Sequence, residues 1–323
     1  MKKRFVFSML LLISLLSACA GTTTSTGTDS STKTPARTTP TSTSSDQTDT
    51  GHKGLPLYGP GYVTLDRQGN IYVSDGEPFQ PHIRLVKLSP SGQLLAEWHP
   101  FKYQGDPAGP FGLALDVQGN IYVGDAGDNT IKKLSPTGEV LATWGGTGSD
   151  PGKINWPQGV ALDTKGNIYV ADTNNNRIEK FSSTGNLLAI WGTKDGFDGP
   201  TGIAIDTHGN LYVVDLRHSR VVKYSSAGTF LTAWGTQGNA SGQFNKPVGI
   251  AVDKQGDLYV ADQSNLRIVK LSPDGKVLAM FPVNDRVFGV AVDSQGNIYS
   301  TGSNFMKLSP TGKTLFTVAA TSP

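Results

Sequence analysis

One cysteine, Cys19, stands among 323 residues, so no disulfide can close within a single chain, and burial and strand pairing must hold the fold. Charge of one sign is also missing: 28 Lys and Arg face 26 Asp and Glu, a net +2. Three of those cations, Lys2, Lys3 and Arg4, belong to a leader-like segment, and the remainder is close to neutral. Such a balance offers no basic footprint for nucleic acid, which is not expected as a partner. Long apolar runs are lacking too. The one over residues 5–16 is interrupted by Ser8 and Ser14 and falls short of the ~20 residues that cross a bilayer as a helix. In excess are 39 glycines and 19 prolines. Without a collagen-like period, that usage suits an all-β chain with many turns.

The first 19 residues have the parts of an export signal: a basic start, an apolar stretch, and Leu16-Ser17-Ala18-Cys19. The last four resemble the bacterial lipoprotein box, an aliphatic residue and two small ones before the cysteine. The resemblance implies removal of residues 1–18, diacylglycerol on the Cys19 thiol and acylation, such as palmitate, of the new amino terminus. Several chains on one residue give an anchoring that a single acyl group does not. The competing reading is an ordinary signal peptide with an incidental cysteine. The expectation is an exported protein, anchored to the bacterial cell membrane through Cys19, with its folded part outside the cytoplasm. Residues 19–53 read as the lipidated cysteine and its tether. Between positions 20 and 50, 19 of 31 residues are Ser or Thr, too few apolar groups to offset chain entropy. A flexible coil of about 34 residues has a root-mean-square span of ~30–35 Å.

Beyond residue 54 the sequence repeats. The pattern D-x-x-G-[ND]-[IL]-Y begins at Asp66, Asp116, Asp163, Asp206, Asp253 and Asp293. K-[LFY]-S-[PS]-x-G begins at Lys87, Lys133, Lys180, Lys223, Lys270 and Lys307. Six residues after each glycine of the second pattern stand Trp98, Trp144, Trp191, Trp234, Phe281 and Val318. Each unit reads as four short strands, A to D; in the third they fall at 159–163, 167–172, 177–182 and 186–191. Strands A and B are apolar on both parities, as a sheet covered on both faces requires. In the A–B turn the Asp side chain caps the turn and the Gly takes positive φ, and Ser-Pro-x-Gly serves the C–D turn. The recurring Asp residues therefore read as structural, not as metal ligands. Four-stranded units of this period predict an all-β fold, a six-bladed β-propeller over residues 54–323. Its repeats lie near 58–108, 109–155, 156–199, 200–245, 246–285 and 286–320. Blade 1 is expected to close the ring by packing on blade 6, with residues 55–58 adding a short strand there.

The units resemble NHL repeats, whose hallmark is P-x-G-[IV]-A-[VIL]-D, G-N-[IL]-Y-V-x-D and N-x-R-I. Pro157 to Asp163, Gly166 to Asp172, and Asn175, Arg177 and Ile178 follow it throughout. The first and last units depart most: Tyr62 stands in place of a glycine, and Gly302 in place of the Asp that ends strand B.

Turns A–B and C–D share one face and are stereotyped. The D–A connections and B–C loops share the other and vary, which makes that face, with the channel mouth as its floor, the candidate binding surface. Its residues are Phe101 and Tyr103 from the first D–A connection, Trp156 and Phe197 from the next two, and Phe244, Arg286 and Phe288 from later ones. The B–C loops add His218, with Asn174, Asn175, Arg217 and Arg220. Trp156 and Phe244 read equally as binding groups or as plugs between blades. Arg177, Arg220 and Arg267 hold one repeat position and read as partners of the Asp ending strand B.

NHL-type propellers resemble several enzymes, among them the peptide-amidating lyase, streptogramin lyase and the lactonases. Of the five histidines, only His82, His99 and His218 can share a face, and they belong to blades 1 and 4. No nucleophile motif or phosphate loop is present. No catalytic residue, metal or cofactor is assigned. The expectation is a monomeric cell-surface lipoprotein whose propeller binds an extracellular protein, peptide or glycan. The alternative is a lyase or hydrolase of those propeller types acting on an extracellular small molecule.

Overall fold

Short β-branched and aromatic runs, joined by turns of two to four residues, pair most readily with their neighbours in the chain, antiparallel. The computed structural model describes residues 57–76, 83–101 and 109–320. The leader, Cys19 and the Ser/Thr-rich segment lie outside them. It contains six four-stranded sheets, each with its strands in chain order. In the third blade the strands are Pro157–Leu162, Ile168–Asp172, Arg177–Phe181 and Leu187–Trp191, within two residues of the sequence reading. The inner strands Pro60–Leu65, Pro110–Leu115, Pro157–Leu162, Pro200–Ile205, Pro247–Val252 and Val287–Val292 pack side by side around an axis, the last against the first.

Glycine sets how closely they pack. A Cβ on Gly112 would collide with the carbonyl oxygen of Gln158 in the next blade, and one on Gly159 with that of Thr201. Blade 1 has Tyr62 at this position. Its side chain enters the channel, buried against Leu216, Val248 and Phe111. What remains of the channel is a cavity of about 40 Å³, room for roughly three waters and for no organic ligand.

The two repeated motifs form one device. Asp66 Oδ1 accepts the N–H groups of Gln68 and Asn70 at 2.9 and 2.8 Å, while Gly69 turns at φ +82°. Lys87 of the second motif reaches back, its Nζ 3.6 Å from Asp66 and 5.0 Å from the Tyr72 ring centre. A Lys lies over the Tyr in all six blades, at 4.8–5.1 Å. The outer tryptophans join the blades: Trp98 lies on Gly138 of the next blade, Trp144 on Gly185, Trp191 on Gly228 and Trp234 on Gly275, where any Cβ would strike the indole. Phe281 on Gly312 and Phe316 on Gly92 carry the ring through blade 6 to blade 1. The seam itself holds by packing. Thr301 Oγ1 donates to the Gly61 carbonyl at 2.6 Å, and buried Leu57 makes one parallel bridge to Ala320.

In blades 1, 3, 4 and 5 a buried carboxylate at the end of strand B ties down the segment that leads into strand A. Asp172 accepts from Asn155 N–H and Arg177 Nε, both at 2.7 Å, and Arg177 donates onward to the carbonyls of Ser149, Asp150 and Lys153. Asp75–Arg84, Asp215–Arg220 and Asp262–Arg267 repeat the pair at 2.8 Å. Blade 2 has Thr130 at the Arg position, and Lys132, two residues on, bonds Asp125 instead. Beside Arg177 lies buried Glu179, Oε1 2.8 Å from Arg177 Nη2 and 3.0 Å from Gly152 N–H, with Oε2 unpartnered. Burial, only partly offset by Gly152 N–H and Arg177, pushes its carboxyl from the ordinary 4.5 up to about 7.

Two outcomes follow. Gly159→Ala should lower the unfolding free energy by about 1–3 kcal/mol. Gly61→Ala, whose Cβ would come no nearer than 3.2 Å to any atom, the Ser74 hydroxyl, should cost less. Equal urea midpoints for the two variants would contradict the close-packed ring. Glu179 takes up a proton on folding between its unfolded value of 4.5 and about 7, so its contribution to stability falls as pH rises through that window. Glu179→Gln should therefore gain on the wild type as pH is raised from about 5 to about 8. A flat difference across urea titrations in that range would refute the assignment.

Candidate functional site

The second residue of each inner strand sits at the mouth of the channel: Gly61, Phe111, Gln158, Thr201, Val248 and Phe288. Gln158 and Thr201 are buried, and Thr201 Oγ1 is used on the Val248 carbonyl at 2.9 Å. Phe111 and Phe288 stay half-buried. Phe111 meets the Tyr62 ring edge-on at 6.4 Å and the Trp156 ring at 5.9 Å. Leu216 and Val248 pack against the same Tyr62 from blades 4 and 5. Five blades thus contribute to an aromatic and aliphatic cup over the closed channel. Tyr62 Oη is buried there without a partner, and burial raises its hydroxyl far above the usual range, so it stays a donor at neutral pH. Such a surface accepts flat apolar groups or the faces of sugar rings.

Trp156 is held there under strain. It is half-buried and has φ +63°, a left-handed conformation that a bulky residue adopts at a cost of order 1–3 kcal/mol. Its N–H is fixed by Asn129 Oδ1 at 2.7 Å. Blade 4 has Gly199 at the same place, φ +70°, with its N–H on Asn176 Oδ1 at 2.8 Å. Blade 5 has Lys246 there at φ +52°, so the left-handed backbone belongs to the repeat; what is particular to blade 3 is the indole it carries, where glycine would fit freely.

Leu216 also brings its loop neighbours Arg217 and His218 to the rim. His218 is 48 % exposed, with Nδ1 2.9 Å from the buried carboxylate of Asp215, which also holds Arg220. A carboxylate on Nδ1 makes that nitrogen the donor and leaves Nε2 as a base. Arg217 pairs with Asp198 at 2.6 Å on the surface. Among the described residues no three His, Cys, Asp or Glu side chains gather as a metal would need.

The other expected site residues fall elsewhere. Phe197 and Phe244 are 5 % and 1 % exposed and belong to the core between blades. A Cβ on Gly192 or Gly235 would touch their rings, as one on Gly145 would touch Ile154. They plug the gap behind strand D and offer a ligand no surface. Phe101 is half-buried against Tyr72, Leu85 and Leu113, with Lys132 Nζ 5.8 Å over its ring. Arg286 is exposed beside Asp285, whose Oδ1 accepts its N–H at 2.7 Å. Asn175 is taken up by Asp172 and the Gly148 carbonyl. Tyr103 and His82, like Cys19, lie outside the described residues. Tyr62, Phe111 and Leu216 were absent from the expected set. The P-x-G register pointed to Phe111, since it equates Phe111 with Phe288.

Comparison with known proteins agrees with the fold. A profile of the NHL repeat matches residues 155–181, 197–224 and 244–271, in blades 3, 4 and 5. No curated protein matches the chain. Among solved structures, a streptogramin B lyase is 18% identical over 83% of this chain and 85% of its own, with a TM-score of 0.61. A gluconolactonase from Xanthomonas campestris is 17% identical over 77% and 86%, TM-score 0.57. A chain of a nidogen/laminin complex is 21% identical over 81% and 94%, TM-score 0.57. At these identities the likeness is one of fold. Six four-stranded blades make this chain a six-bladed β-propeller, and three of those blades carry NHL repeats.

Proposed function

We propose that the chain is an exported lipoprotein, anchored through Cys19, whose propeller binds an extracellular protein, peptide or glycan in the cup at its channel mouth. The observation that carries the reading is Trp156: a strained, half-exposed indole beside Phe111 at a position where glycine would fit without cost. The closed channel supports it, because contact is then confined to the face. So does the occurrence of a similar propeller in a nidogen/laminin complex, an assembly of proteins. The second reading is a lyase or hydrolase with His218 as base. The 2.9 Å Asp215–His218 contact favours it, as does the likeness to a streptogramin B lyase and a gluconolactonase.

Cys19→Ser should move the protein from the membrane fraction to the medium, read by immunoblot; unchanged fractionation would refute the anchor. For the cup, the protein would be screened on peptide and glycan arrays beside Trp156→Gly. That substitution relieves the backbone and gives up about 0.5–1.5 kcal/mol of ring packing, so the melting temperature should stay within a few degrees. Affinity for the captured ligand should fall at least tenfold. Retention of the same ligands by a folded Trp156→Gly would sink the proposal. Turnover of a streptogramin or a lactone that stops in His218→Ala would establish the second reading in its place.

A further inference from the structure

In blades 1 to 5 the Asp that ends strand B has a cation of its own: Arg84, Lys132, Arg177, Arg220 or Arg267. Blade 2 shows that the cation is kept even when the Arg is lost. Blade 6 breaks the rule on both sides. Strand B ends in Gly302 and strand C opens with Asn304. A side chain on Gly302 would collide with the Arg286 carbonyl, so the lost Asp cannot be restored on this backbone.

The connection into blade 6 is also short. Residues 283–286 are all that separate its inner strand from the blade before, against 146–156 and 235–246 for the loops that fold over Arg177 and Arg267. Between that connection and the exposed side of strand C lies a slot of about 260 Å³. This is just below the ~300–1,000 Å³ of small-ligand pockets and suits one long side chain. Val283, Met306 and Leu308 give it apolar surface, Asn304 and Thr317 are among its four neutral polar groups, and Asp285 is its one charge.

Asp285 is held in place without a counter-charge. Its carboxylate accepts from Ser303 Oγ at 2.6 Å, Arg286 N–H at 2.7 Å and Asn304 Nδ2 at 2.8 Å, all neutral donors. Among the described residues none forms an ion pair with it, whereas the five strand-end carboxylates each have one. Apolar surface on Val283, Met306 and Leu308 beside a single fixed carboxylate matches the two halves of an arginine, a methylene stem and a planar cation.

We propose that this slot binds the guanidinium group of an arginine on another protein, filling from outside the place that each of blades 1, 3, 4 and 5 fills with its own. The stem lies on Met306 and Leu308, and the guanidinium meets Asp285 Oδ2. The proposal is independent of the cup and of Trp156.

The test titrates the full-length protein with N-acetyl-arginine amide, its neutral isostere N-acetyl-citrulline amide, and free arginine, followed by calorimetry at low salt. The arginine amide should bind saturably, with the citrulline amide at least tenfold weaker. Asp285→Asn should weaken the arginine amide at least tenfold. Asn304→Arg, which supplies the missing guanidinium within the chain, should abolish binding and raise the melting temperature; it keeps the test open if Asp285→Asn fails to fold. Arginine amide binding to Asn304→Arg as it does to wild type, equal binding of the two amides, or no saturation would overturn the site. Free arginine binding more tightly than the blocked amide would overturn the assignment to a protein side chain.

Discussion

Everything in this propeller follows from how near its inner strands come to one another. Glycines in five blades let neighbouring backbones meet at a separation where a methyl group would strike a carbonyl. The resulting ring is narrow, and blade 1, with Tyr62 in place of the glycine, fills what is left. A channel closed in this way cannot serve as a ligand cavity, so any recognition is displaced to the ends of the barrel of strands. One end is spent on Asp-x-x-Gly and Ser-x-x-Gly turns whose polar groups satisfy one another. The other is left to loops of unequal length.

Those loops are not free. The carboxylate at the end of strand B reaches into the connection and the adjoining cation bonds its carbonyls, so a segment of irregular sequence is held almost as firmly as a strand. The charges involved are buried and would be costly alone; paired, they hold the loops in register with the blade. The same economy governs the strand C lysines Lys87, Lys133, Lys180 and Lys270, each of which lies between a tyrosine face and a carboxylate.

Much of this was legible in the sequence, because each device recurs. Two motifs found six times fixed blade number, strand order and turn chemistry, and Arg177, Arg220 and Arg267 declared their partners by sharing a position. Phe197 stands in a variable loop by sequence and reads as a binding group, whereas for Phe244 the plug that the structure shows is one of the two readings the sequence allows. Both stand three residues before the proline of strand A, as do Leu57 and Ile154, and all four are buried. A large apolar group at a constant offset is packing, and that offset was available before any coordinate. Tyr62, Phe111, Trp156, Leu216 and Val248 were harder to assemble. They come from five blades, and nothing in the spacing of a linear repeat measures distance across a ring. Nor does the sequence reveal that Trp156 occupies a left-handed backbone; of its counterparts Gly199 and Lys246 share that conformation, and only the glycine hints at it.

The bridge between Leu57 and Ala320 puts the entry and the exit of the propeller at one point, on the seam where the last blade meets the first. Tension applied to the chain ahead of Leu57 therefore enters the fold at its point of closure and is resisted first by a single pair of backbone hydrogen-bonding residues and the buried leucine beneath them. Behind that contact Tyr58 and Gly59 pass the load to the Asp75 carboxylate, and Gly61 and Thr301 follow. A molecule dragged from this side would open as a ring opens, at its clasp, with five blade junctions still intact.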